Sequence, residues 1–149
     1  TLGKINMDND ETALESKILD ALLSGDDPIL ETLRKQRQIA IIKDREFTGC
    51  GFFTTFEFQN EIPCVDPKNF VIDDVALEVE GTENGASAML FVRDGRINFL
   101  EVVAHTGSWP KTPILKKVLY FKRKSMGSFD ELIAQDGRDI EVTRRAWKK

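Results

Sequence analysis

Histidine is almost missing from this chain: His105 is the only one among 149 residues, beside two cysteines and one tyrosine. That scarcity removes several kinds of chemistry. With a single imidazole and no C-x-x-C pair, a structural zinc site lacks the ligands it requires, and no metal or cofactor is expected. Cys50 and Cys64 are too few for a disulfide framework, so reduced and mostly buried thiols are expected. No apolar run approaches the ~20 residues that span a bilayer. The first ten residues carry neither a basic start nor an apolar block, so a cytoplasmic chain without membrane contact is expected. The opening stretch TLGKIN reads as a processing or expression remnant, with Met7 the candidate native start. Residues 1–9 are set aside as disordered or foreign to the fold.

What is present fits a globular domain. The chain is 41% hydrophobic and 31% charged, and ten phenylalanines place most of its aromatic content in a core. A single domain over 1–149 is expected, with 137–149 a loosely packed tail. Charge is unevenly spread around the net −4. Residues 1–46 carry seven basic and ten acidic side chains, residues 47–110 three and ten, and residues 111–149 eleven and five. An acidic middle repels polyphosphate ligands, whereas the basic end attracts them locally.

Periodicity divides the chain into elements. Leu14, Ile18, Leu19, Leu22 and Leu23 recur at three- and four-residue steps, which predicts a helix from about Asp10 to Leu23, ended by Ser24-Gly25. Asp27 as N-cap and Pro28 at the first turn start a second helix to about Gln36, giving an αα-hairpin. The aromatic and β-branched stretch from Ile39 to Phe58, interrupted by charges at Lys43 to Glu46, predicts one or two strands bent at Gly49 and Gly51. Further strands are predicted over Asp74 to Glu80, Ala88 to Arg93, Arg96 to Val103 and Ile114 to Phe121. Asp94-Gly95 gives the strongest hairpin signal, because both central residues of a type I′ turn need positive φ. Ser128-Phe129-Asp130-Glu131 fits a capping box that would open a short C-terminal helix.

Two motifs carry a resemblance. The stretch Arg45-Glu46-Phe47-Thr48-Gly49-Cys50-Gly51-Phe52-Phe53-Thr54 is followed by Leu90-Phe91-Val92-Arg93-Asp94-Gly95-Arg96-Ile97-Asn98-Phe99-Leu100-Glu101 and then Trp109-Pro110. Over roughly residues 14–121 this resembles an uncharacterised family of short bacterial cytoplasmic proteins. Its members carry a Leu-Glu-Gly-Tyr stretch after the hairpin, where this chain has Glu101-Val102-Val103. The resemblance implies one cytoplasmic bacterial domain and supplies no catalytic residue.

The remaining candidates are weighed by what their chemistry needs. Gly49-Cys50-Gly51 lacks the lysine and following helix of a phosphate-binding loop and reads as a bend. Glu46, Glu57, Glu78 and Glu101 lie at strands, where a facing pair of carboxylates could divide acid and base roles. His105 and Trp109 sit in a post-strand loop, but Gly107-Ser108-Trp109 does not match a nucleophile elbow. Lys111, Lys116, Lys117, Lys122, Arg123 and Lys124 interleave with Tyr120 and Phe121 in the manner of single-strand nucleic-acid binders. The expected fold is α+β: a helical hairpin on an antiparallel sheet of about four to six strands, with a short C-terminal helix. The expected function is non-enzymatic binding of a basic protein partner, in an immunity or antitoxin-like role, through Glu78, Glu80, Glu101, His105 and Trp109. Two alternatives stand beside it: a small hydrolase or transferase using Glu101 and His105, and a nucleic-acid module using residues 111–124.

Overall fold

The computed structural model describes residues 13–135 and 137–147, the side chains of 123 and 130 excepted. Residues 1–12, which include the stretch 1–9 set aside above and the predicted start of the first helix, lie outside the described residues. An antiparallel sheet of seven strands forms the centre of the described chain. The first helix, α1, covers 13–22, and its leucine and isoleucine stripe is buried to 6% exposure or less. The second helix, α2, runs Pro28–Ile39. Asp27 caps it by accepting from Ile29 N at 2.8 Å and Leu30 N at 3.3 Å, so two of the amides left open at a helix start are satisfied.

Seven strands follow: β1 Ile41–Phe47, β2 Gly51–Glu57, β3 Phe70–Glu80, β4 Ala86–Arg93, β5 Arg96–Ala104, β6 Ile114–Ser125 and β7 Asp130–Gln135. Their spatial order is β1-β2-β5-β4-β3-β6-β7. One helix, α3, Ile140–Trp147, closes the described chain. The inner face of the sheet carries Phe52, Ile72, Val75, Leu77, Leu90, Val92, Ile97, Leu100 and Val102, all essentially buried beneath the helices. A buried amide locks the crossing between β2 and β3 to this core. Gln36 Nε2 donates to Pro63 O at 2.8 Å and Gly95 O at 2.9 Å, and its Oε1 accepts from Ile97 N at 3.0 Å.

Two glycines are dictated by geometry. At the β4–β5 turn, Asp94 has φ 55° and Gly95 φ 77°, the left-handed pair that the Asp-Gly signal implies. At Gly51 a Cβ would lie 1.8 Å from Val102 O, so β2 approaches β5 more closely than any side chain allows.

The structure corrects several expectations. The sheet has seven strands instead of four to six, because the charged stretch at Lys43 to Glu46 belongs to β1 and because β7 exists. β1 is an edge strand with one partner, and most of its side chains are in water, so polar residues fit there. The capping-box segment opens no helix. Gly127 at φ 94° turns the chain, Met126 N donates to Phe129 O at 2.8 Å, and Asp130–Gln135 pairs with the open side of β6. Leu132 and Ile133 are too few to give a helix an apolar face, whereas the ladder satisfies the backbone of the whole segment. The C-terminal helix lies later, within the stretch read as a loose tail. Asp139 Oδ1 accepts from Val142 N at 3.2 Å at its start, and Trp147, 2% exposed, stacks on Phe70 at 5.0 Å between ring centroids.

Candidate functional site

A sheet with helices on one side leaves a second face. Period-two alternation points Phe53, Phe99, Met89, Phe91, Val103, Val71, Ala76 and Leu119 away from the core, and all of them are half-buried. All three described helices lie on the opposite side. At its middle Phe91 stacks on Phe99, with ring centroids 4.2 Å apart and planes 12° from parallel, and Phe53 meets Phe99 at 5.9 Å. Arg93 lies over both stacked rings, at 5.7 and 5.9 Å from their centroids. Register places Asp44 and Glu46 beside Phe53 and Thr55 on one flank, Glu101 between Phe53 and Met89 at the centre, and Glu78 and Glu80 on β3 at the other flank. Arg93 with Arg96 opposite it, and Lys117 with Lys116 beside it, are cations on this surface of the described strands. The face is therefore an aromatic centre with carboxylates along both flanks and cations gathered at Arg93–Arg96 and Lys116–Lys117.

A cleft of about 500 Å³ opens where β3 ends in the Gly81–Gly85 turn, lined by Glu78, Glu80, Glu83, Asn84, His105 and Lys116 among others. His105 follows β5 directly, and its backbone N donates to Gly85 O at 2.9 Å. Its ring is held on both sides, with Nε2 2.6 Å from Ser87 Oγ on β4 and Nδ1 2.8 Å from Asn84 O. Asn84 Nδ2 in turn donates to Thr106 Oγ1 at 2.9 Å.

Of the residues singled out by sequence, Glu78, Glu80 and His105 come together around this cleft. Glu101 shares the outward face of β5 with His105, but the four-residue interval is about 13 Å of strand. The pair considered for hydrolysis therefore does not converge, and His105 meets Ser87 instead. Trp109 turns to the helix side, where its ring packs edge-on against Phe52 at 5.6 Å and its backbone N donates to Gly49 O at 2.8 Å. The thiols are free, as expected, but both are exposed, which corrects their expected burial. Cys50 occupies a hairpin tip, and in the loop that carries Cys64 the neighbouring Val65 takes the core position.

Ser87 was missed by sequence because nothing near it in the chain marks it. Only the β4–β5 register, which pairs Ala86 with Ala104, brings it beside His105. In the basic segment, Phe121 is buried and Tyr120 is half-buried with its hydroxyl donating to Ala21 O at 2.6 Å. Neither ring lies open for a base to stack on. Among the described residues, no group of three or more His, Cys, Asp or Glu side chains is arranged to hold a metal ion, and no helix is long and apolar enough to cross a membrane.

Fold and face together define an α+β domain with a one-sided antiparallel sheet. No family model, curated protein or solved structure matches the chain.

Proposed function

We propose that this chain is a cytoplasmic protein-binding domain of the immunity or antitoxin-like kind, which occupies a basic surface of its partner through the outer face of its sheet. The observation that carries this reading is the Phe53–Phe99–Phe91 ladder on a face that no described helix covers, bordered by Asp44, Glu46, Glu78 and Glu80, with Glu101 at its centre. Protein interfaces concentrate their energy in aromatic centres shielded by a polar rim, and an exposed apolar patch of this make-up marks interaction surfaces. Carboxylates at the border select a cationic partner and speed its approach, more than they add affinity.

The nucleic-acid reading loses support from the engagement of Tyr120 and Phe121 in the fold, and from Glu78 standing opposite Lys117. The test is co-purification of the tagged chain from its native cells. A stoichiometric basic protein should be recovered with the native sequence. It should be lost from the triple variant E46K/E78K/E80K, whose substitutions lie at exposed positions and leave the core intact. Equal recovery by both chains, or recovery of no stoichiometric protein, would remove the docking face from the account.

A further inference from the structure

The Ser87–His105 contact belongs to neither the aromatic ladder nor the core, and its geometry has a chemical meaning of its own. Asn84 O is a carbonyl and can only accept, so the neutral imidazole must carry its proton on Nδ1, 2.8 Å away. Nε2 is then left as a lone pair facing Ser87 Oγ at 2.6 Å, and the serine hydroxyl donates. A hydroxyl, a base within hydrogen-bond reach and a third group that orients the base are the three parts of an activated nucleophile.

The parts are held rigidly. Ser87 stands within β4, opposite Ala76 of β3, and Ala76 and Leu119 give the cleft beside it an apolar wall. Asn84 is fixed by its own bond to Thr106, and the turn carrying it is shaped by Gly81 at φ 96° and Gly85 at φ 75°. Lys116, two strands from Ser87 on β6, brings a cation to the same cleft. Glu78, Glu80 and Glu83 repel anions from it.

We propose that Ser87 is a nucleophile with His105 as its general base, and that this cleft takes uncharged or cationic short-chain carboxylic esters in a hydrolytic acyl transfer. In the first step Ser87 Oγ bonds to the ester carbonyl carbon while its proton passes to His105 Nε2 and the carbonyl electron pair moves onto oxygen. Collapse of that adduct breaks the bond to the alcohol oxygen, which takes the proton from Nε2 and leaves as alcohol. Water then repeats the sequence on acyl-Ser87, so one ester and one water yield one acid and one alcohol. Asn84 O orients the ring without adding the negative charge that a carboxylate would, so turnover is slow and a covalent readout is the appropriate one.

The probe is an alkyl fluorophosphonate applied to the full chain: the Oγ–P bond forms, the P–F bond breaks, fluoride leaves, and the hydroxyl proton goes to His105. One adduct per chain, mapped to Ser87 by peptide mass spectrometry, is expected. S87A should show none, H105Q should label at least ~100-fold more slowly, and S108A, altered in the exposed neighbouring loop, should label at the native rate. Circular dichroism confirms that each variant folds, and the native-chain mapping needs no variant at all. Absence of an adduct at Ser87, labelling spread over exposed serines, or an H105Q rate equal to the native one would overturn the proposal.

Discussion

At the scale of single residues, most of the specificity comes from polar groups buried with partners. Glu15, 3% exposed, is held by Arg45 and by the hydroxyl of Thr54, which joins α1 to the inner face of β1 and β2. Gln36 performs the same office for α2, with every polar atom of its amide used. Gln36→Leu keeps the volume but leaves the buried Ile97 N–H without that acceptor. The variant is expected to lose about 2 kcal/mol in urea unfolding and to be cut faster in the 58–69 loop by limited proteolysis. An unchanged midpoint and cleavage rate would contradict the role assigned to the amide. Tyr120 offers a second check. Burial raises its phenol above the ordinary tyrosine value, against the pull of Arg138 and with Asp74 adding to the rise. A proton held more tightly in the native state gives stability that is complete below the unfolded value of about 10 and is lost as pH climbs through the native one. Because the chain has one tyrosine, the ultraviolet signal of its phenolate reports this group alone. It should appear at higher pH in the native chain than in urea, and Y120F should flatten the matching part of the alkaline stability loss. None of these partnerships was legible in sequence, since Glu15 and Gln36 look like ordinary polar positions on amphipathic helices.

Elements were legible where their signal is local. The leucine stripe of α1, the Asp27-Pro28 start of α2 and the Asp94-Gly95 turn depend on residues a few positions apart, and each stands where the pattern puts it. In sequence β3 is legible only from Asp74, because a bulge breaks its phase: Ile72 and Val75 both face the core although they are three positions apart. The sequence predicts a helix where β7 stands, because the stability of β7 comes from the neighbouring β6 and not from its own pattern. α3 is likewise a tertiary object. Asp74 holds Arg138 in a paired contact of 2.8 and 2.9 Å just before it, Asp27 holds Arg144 at 2.5 Å, and Trp147 completes the core. W147A is therefore expected to cost about 3–5 kcal/mol in chemical denaturation and to expose α3 amides to hydrogen exchange before those of β4 and β5. Exchange of α3 at the native rate in that variant would show that the ring is not its anchor.

For the whole molecule, the informative feature is an asymmetry. Helices cover one side of the sheet, while the other presents stacked phenylalanines within a carboxylate border. The acidic character of this region is legible in the sequence, whereas the aromatic ladder is not. Phe53, Phe91 and Phe99 lie on three strands, and Phe53 is 38 positions or more from the other two, so only the sheet order β2-β5-β4 assembles them. The same order separates Glu101 from the cleft and gives His105 a serine neighbour. Nearly all of the fold class was thus readable, and about half of the candidate site. The most direct measurement places a photo-crosslinking residue at Phe99 and, in a second chain, at the exposed Lys35 on α2, each expressed in the native cells. A single basic protein joined through position 99 and not through position 35 is the predicted result. Equal capture at both positions, or none at position 99, would contradict the assignment of this face to partner binding.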